Sequence, residues 1–258
     1  MKKHHRQKQI TNYINDYGYL SFSDLKDRFP DLSEMTLRTD LKELDAQKRI
    51  QRVRGGAKSL SETTKATDLY FKRAHCNTDK KKQIGAKTVE YLQSQLRLRP
   101  NLTIYLDSGS TITEIANQFP DEWCTIVTSS ISNAYALSSL HKPTVVMLGG
   151  TLNRFNCCCD NSSNLAVLDR MNFDIMILAV AGYSYDEGFT CVKEIMDEVR
   201  GIVMKHSKQI IIPIDSTKIG VAYPITHARL EDVNIIISDD DLPAETKNSF
   251  LEHGITVL

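Results

Sequence analysis

The sequence predicts an α/β chain in two parts: a small helical head ending in a hairpin, and a larger body built on a mostly parallel sheet. Three observations predict it. The first sixty residues hold three short segments, each with a single apolar stripe. From residue 101 onward, short runs rich in Ile, Val and Leu alternate with helical segments. Charge divides along the same line. Residues 1–60 hold 13 Lys and Arg against 8 Asp and Glu, although the whole chain balances at 32 each. A head of about +5 on a body of about −5 points to a polyanion partner for the head.

The whole chain bounds the remaining classes. Its 258 residues, 41% of them apolar, can bury a sizeable core in one or two domains. No apolar run approaches the roughly 18–20 residues needed to span a bilayer. The opening "MKKHHRQKQI" is basic, but no apolar stretch follows, so it does not read as a signal peptide. A soluble cytoplasmic protein without a membrane partner is expected. Cys76, Cys124, Cys157, Cys158, Cys159 and Cys191 form no C-x-x-C pair. Three adjacent side chains diverge too far to share one tetrahedral ion, so the thiols read as reduced and no metal or cofactor is expected.

The head is read in order. "RQKQITNYINDYG" places Ile10, Tyr13, Ile14 and Tyr17 on one face and stops at Gly18. "SFSDLKDRF" turns Leu25 and Phe29 inward, with Ser23 as its expected cap. The third helix, "LSEMTLRTDLKELDA", is capped by Ser33 and carries Leu37, Leu41 and Leu44 at i, i+4 and i+7. Met35, Thr39 and Lys42 then point away, flanked by Thr36 and Arg38, while Asp40 falls at the buried edge. "KRIQRVRGGA" alternates and ends in a glycine pair, which reads as a hairpin with Arg52 and Arg54 on one strand face. Helices followed by a wing make a winged helix-turn-helix. Its polar helix face suits a major groove about 12 Å wide. Ser33, Thr36, Arg38, Thr39 and Lys42 are expected at base edges or nearby phosphates, and Arg52, Arg54 and Lys58 at phosphates.

These residues resemble the DNA-binding domain of the DeoR family of bacterial transcriptional regulators. That pattern runs S-x-x-T-[IVL]-R-x-D-L and then R-x-x-G-G-A. This chain has Ser33, Thr36, Leu37, Arg38, Asp40 and Leu41, then Arg52, Gly55, Gly56 and Ala57. The family's usual second arginine is Thr39 here.

The expected division is a winged helix-turn-helix over residues 1–58, a linker over 59–78, and an α/β effector-sensing and oligomerisation domain over 79–258. Lys80 to Lys82 read as a solvated first helical turn. In the body, the strand "LTIYLD" runs into "DSGST", Asp107, Ser108, Gly109, Ser110 and Thr111, where a helix begins. "TIVTS" ends in Thr128, Ser129 and Ser130, "TVVMLGG" in Gly149 and Gly150, and "KQIIIPID" in Asp215 to Lys218. Hydroxyls, free N–H groups at a helix start and the Lys218 ammonium suit a phosphate. Asp107 and Asp215 are expected to accept from sugar hydroxyls.

The DeoR resemblance extends over this body. It implies a sensor similar in fold to ribose-5-phosphate isomerase, with motifs D-x-G-[ST]-T, T-N-S, G-G and D-x-[ST]-K-x-G, and a linker pattern matched by Arg73, Asn77 and Lys81. It implies a repressor of sugar-metabolism genes, a homodimer or homotetramer on double-stranded DNA, whose operator affinity changes when a phosphorylated sugar binds. Ser129 stands where asparagine is usual, "FNCCCDNS" where a small-residue stretch is usual, and Arg200 where a lysine is usual. The alternative is an isomerase-like enzyme with an appended nucleic-acid-binding domain. It needs a carboxylate base, for which Asp186 and Glu187 are candidates, although "YSYDEGF" also reads as a turn tip and the D-G-A-D-E run is missing.

Overall fold

The computed structural model describes residues 3–60, 70–160, 165–192 and 197–258. The chain divides into two compact units, residues 1–78 and 79–258.

In the first unit, α1 (Lys3–Tyr17), α2 (Phe22–Arg28) and α3 (Glu34–Ala46) surround a core of Ile10, Ile14, Leu25, Phe29, Leu37, Leu41, Leu44 and Ile50. A three-stranded antiparallel sheet closes it, with β1 (Tyr19–Ser21) beside β3 (Gly56–Lys58) and β3 beside β2 (Gln51–Val53). The cap of α2 is Ser21, not Ser23. Ser21 Oγ accepts from Asp24 N at 3.0 Å and Asp24 Oδ2 accepts from Ser21 N at 2.9 Å, so a reciprocal capping box decides the start. Part of the expected linker is helical. α4 (Tyr70–His75) packs on α1, with the Phe71 ring 6.2 Å from that of Tyr17. The period is too short to announce itself in a polar segment. Residues 61–69 of that segment lie outside the described residues.

The second unit begins with α5 (Thr78–Leu98) and is built on seven parallel strands. These are β4 (Thr103–Leu106), β5 (Thr125–Thr128), β6 (Thr144–Met147), β9 (Ile175–Ile177), β12 (Ile210–Pro213), β14 (Ile235–Ile237) and β15 (Thr256–Val257). Their order is β15-β14-β12-β9-β4-β5-β6. Alternate residues serve opposite cores, as the period of two requires. Ile104, Leu106, Ile175 and Ile177 face α5, α6 (Ser110–Asn117) and α7 (Ile131–Leu137). Tyr105, Met176 and Ile212 face the other layer, formed by α8 (Leu165–Leu168), α9 (Asp197–Lys205) and α10 (Ala244–Glu252). Two small pieces were not legible as strands. They are the hairpin of β7 (Thr151–Asn153) and β8 (Cys158–Asp160), and the antiparallel sheet of β10 (Gly182–Ser184), β11 (Gly188–Cys191) and β13 (Ile225–Ala228).

The strand order decides where a ligand can sit. From β4 the chain moves through β5 to β6 in one direction, and β9, β12, β14 and β15 extend in the other. Connections therefore diverge between β4 and β9, leaving a crevice beyond their carboxyl ends.

Candidate functional site

The reader face is built on α3. Leu37, Leu41 and Leu44 are buried, and so is Asp40, at 1% exposure. Asp40 accepts from Arg6 Nε at 2.6 Å and from Gln7 Nε2 at 3.0 Å, which bolts α1 to α3. Met35, Arg38, Thr39 and Lys42 are exposed on the opposite side. Arg38 is braced by its surroundings: the guanidinium lies 4.2 Å from the Phe22 ring centre and 3.6 Å from Glu34 Oε2. Ser33 Oγ caps Thr36 N at 3.1 Å and sits 2.8 Å from Thr36 Oγ1, while Thr39 Oγ1 donates to Met35 O. These hydroxyls are partly committed to the helix, and Thr39 keeps acceptor capacity and a methyl group for a base edge.

On the wing, Arg52, Arg54 and Lys58 are exposed. Arg54 lies in the turn rather than on β2, so it does not share a strand face with Arg52. The glycine pair is required by the backbone. Gly55 adopts φ 85°, and a Cβ on Gly56 would stand 2.3 Å from Leu20 O. The pair lets the wing close against β1.

In the second unit the β4–β9 crevice gathers most of the expected residues. Asp107 is fully buried, and its carboxylate accepts from Ser108 N at 2.7 Å, Ala179 N at 3.0 Å and Arg200 Nε at 2.9 Å. Burial opposes the Arg200 charge, but the Asp107 carboxylate outweighs it and raises the guanidinium pKa. Arg200 Nη1 also meets His227 Nε2 at 2.8 Å. A guanidinium only donates, so that ring nitrogen accepts. Asp215 is likewise internal: it caps the Ser216–Lys218 turn through Thr217. Neither carboxylate is therefore open to sugar hydroxyls, contrary to expectation. Both hold loops in place.

Gly109 precedes α6, and a Cβ there would stand 3.3 Å from Ala179 Cβ, so the loop after β4 lies close against the loop after β9. Lys218 Nζ reaches the same loop, donating to Val180 O at 2.9 Å. Asn133, which sequence reasoning missed, ties the β4 and β5 loops. Its Nδ2 donates to Asp107 O at 2.9 Å and its Oδ1 accepts from Thr113 Oγ1 at 2.8 Å. Thr128 Oγ1 donates to Leu106 O and accepts from Ser130 N. Ser108 and Ser129 are buried, Thr111 is buried at the start of α6, and Ser110 is half-buried. Gly150 lies apart, exposed after β6, two strands from β4.

Cys158 lies against this site. The run Cys157 to Cys159 is laid along Ser129 to Ile131, with Cys159 N donating to Ser129 O at 2.9 Å and Ile131 N to Cys157 O at 3.0 Å. Burial pushes the Cys158 thiol up to about 12, so it is a protonated wall residue. No group of three or more His, Cys, Asp or Glu able to hold a metal occurs among the described residues.

Residues 6–63 match the model of the DeoR-like helix-turn-helix domain, and residues 76–240 match that of the DeoR C terminal sensor domain. The chain belongs to the DeoR family of transcriptional regulators. Relatives match it nearly end to end. The HTH-type transcriptional regulator GlpR of Haloferax volcanii is 25% identical over 254 residues, covering 98% of this chain and 96% of that one. The L-fucose operon activator of Haemophilus influenzae is 28% identical over 256 residues, covering 98% and 99%. The HTH-type transcriptional repressor GlcR of Bacillus subtilis is 27% identical over 208 residues, covering 81% and 78%. Likeness to solved structures is distant: ribose 5-phosphate isomerase A of Methanocaldococcus jannaschii gives a TM-score of 0.37 at 14% identity, covering 55% of each chain. This DeoR-family chain is a regulator that binds DNA, not an enzyme. Among its described residues no helix is long and apolar enough to cross a membrane.

Proposed function

We propose that the protein is a repressor of sugar-metabolism genes whose grip on an operator duplex changes when a phosphorylated sugar enters the β4–β9 crevice. Residues 1–58 serve as the reader and 79–258 as the sensor. The observation that carries this reading is the convergence of the α6 N-terminus, the hydroxyls of the β4 and β5 loops, and Lys218 beyond one pair of strand ends. Arg38, with Thr36, Thr39 and Lys42, reads base edges. Ser33 caps the reading helix, and Arg52, Arg54 and Lys58 hold phosphates. Repression is the simplest output, because occupancy of a duplex blocks access by itself whereas activation needs a further contact. One winged helix reads few base pairs, so a homodimer or homotetramer on repeated half-sites fits.

A run of bonds leads from the crevice to the start of α5. The Ser216–Lys218 turn is held by Asp239, whose carboxylate accepts from Ser216 N at 2.7 Å and Ser216 Oγ at 2.8 Å. Asp239 also accepts from Lys80 Nζ at 2.7 Å, and Lys80 lies in the first turn of α5, where the chain arrives from the reader. A ligand on Lys218 thus bears on the start of α5. A ligand that favours one arrangement of this turn shifts the population of reader states, whereas equal affinity for both would shift nothing.

A thermal-shift screen of the full chain against sugar phosphates, followed by operator titration with and without each hit, tests the reading. A hit that changes operator affinity supports it. Stabilisation by no phosphorylated sugar, or a hit with no effect on operator binding, overturns it.

A further inference from the structure

We propose that Tyr105, Ser108 and Ser129 form a subsite, walled by Cys158, for the hydroxyl-bearing end of the ligand, which makes that ligand a polyhydroxylated monophosphate rather than a bisphosphate. The proposal rests on the sugar-phosphate reading above and says which sugar phosphates fit. Tyr105 Oη, Ser108 Oγ and Ser129 Oγ are each buried side-chain oxygens without a hydrogen-bond partner among the described residues. The residues are 0%, 4% and 0% exposed. Buried hydroxyls are paired in the great majority of proteins, so three unpaired ones in one place call for a partner of matching chemistry. The fourth such oxygen, Tyr183 Oη, lies elsewhere, among Phe189 and Phe250.

The three hydroxyls belong to one place. Tyr105 projects from β4 toward the layer that holds Cys158, and its ring meets Phe173 edge-on at 6.0 Å. Its hydroxyl lies beside Ser129, and the Cys158 thiol lies beside Ser108, yet neither pair closes a well-formed hydrogen bond. Cys157 and β8 run alongside them, bonded through the backbone to Ile131 and Ser129 respectively. Ser108 and Ser129 sit in the same loops as Gly109 and Ser130, so the cluster adjoins the crevice in which the phosphate is placed.

Charge decides what the cluster takes. Arg200, which acts on both Tyr105 and Cys158, is matched by Asp107 at 2.9 Å, and Asp160 of β8 adds a negative charge beside Cys158. Among the described groups shown to act on Cys158, a second phosphate would meet one cation already matched by a carboxylate, and a further carboxylate. Neutral hydroxyls, which both donate and accept, suit three protein hydroxyls that do the same.

The test uses the full chain, inorganic phosphate, pentose and hexose monophosphates, their deoxy counterparts and hexose bisphosphates, each titrated by thermal shift and calorimetry. Tyr105→Phe and Ser129→Ala remove a hydroxyl with little change of shape, and circular dichroism checks their fold. Expected are tighter binding of at least one sugar monophosphate than of inorganic phosphate, and weaker binding of its deoxy counterpart and of bisphosphates. Each variant should lose roughly 5- to 30-fold for the monophosphate, and Tyr105→Phe should do so with its response to inorganic phosphate unchanged. Variants that bind the monophosphate like the parent, or bisphosphates that bind as tightly as monophosphates, overturn the subsite while leaving the sensor reading intact. No response to any phosphorylated compound overturns the sensor reading itself, and the subsite with it.

Discussion

Replacing Asp107 by Asn probes how the crevice is held open. Oδ2 of Asp107 accepts from both Ala179 N and Arg200 Nε, and Oδ1 accepts from Ser108 N. An Asn amide puts two N–H donors at one of those positions, so at least one donor faces another donor. Arg200, whose side chain is 8% exposed, also keeps a charge with its counter-charge removed. Breaking a buried pair in this way costs about 3–5 kcal/mol. With an m-value of about 2 kcal/mol/M, the urea midpoint should fall by roughly 1.5–2.5 M. Trp123, the single tryptophan, lies in the sensor unit, so its emission follows that unit and far-ultraviolet circular dichroism follows both. Adding Arg200→Met removes the orphaned charge, so the double variant should be more stable than the sum of the single losses, by at least about 2 kcal/mol. A midpoint within about 0.3 M of the parent, or simple additivity in the cycle, refutes the view that this pair carries the β4 loop.

Four further outcomes are expected. Arg38→Ala should weaken operator binding by about 1–3 kcal/mol in an anisotropy titration. It should move thermal stability by no more than about 0.5 kcal/mol, because the Arg38–Glu34 pair is exposed. Asp40→Ala removes the bonded partner of the Arg6 guanidinium and one of the two acceptors of Gln7 Nε2, and should destabilise the reader by about 3 kcal/mol, seen as faster amide exchange across α1 and α3 with the sensor unchanged. Burial acts to raise the Asp239 pKa, but Lys80 and Ser216 outweigh it and the folded value is lowered. Its contribution is therefore present above the unfolded carboxylate value and lost as pH falls through the folded one, so the sensor's melting temperature should drop below about pH 4, and less steeply in Asp239→Asn. Burial pushes Cys124 and Cys158 up to about 12, so iodoacetamide at neutral pH should modify the half-buried Cys157 and Cys159 first by mass spectrometry.

The fold was legible where period and length agreed. β4, β5, β12 and β14 are short Ile- and Val-rich runs that sit fully in the sheet, and Leu37, Leu41 and Leu44 announced α3 with its cap at Ser33. What escaped was short or polar. β10 and β11 read as a turn because Gly182, Ser184 and Gly188 lack the branched side chains that mark a strand. Thr151–Asn153 and the cysteine run made no alternation long enough to see, so the wall that Cys158 builds beside Ser108 was hidden. The strand ends named the crevice, but residue types could not show that Asp107 and Asp215 spend their carboxylates on neighbouring N–H and hydroxyl groups. Asn133 was invisible for a similar reason: a buried amide on a helix has no local signature, and only the juxtaposition of two loops makes it a tie.

The way those carboxylates are spent also fits a regulator better than a catalyst of proton transfer. Proton transfer at carbon requires a carboxylate able to take and release a proton beside the substrate. Asp107 is locked to Arg200 and two backbone N–H groups, and Asp215 caps its own turn. Both Asp107 oxygens are therefore taken up by neighbouring donors, although the residue lies in the crevice. Asp186 and Glu187 are exposed at the tip of the β10–β11 hairpin, with Glu187 N donating to Ser184 Oγ at 3.2 Å, the geometry of a turn. A crevice that commits its acids to structure can hold a ligand without turning it over. On the proposed reading, the ligand's binding free energy is then available to bias the Ser216–Asp239–Lys80 joint instead of a chemical step.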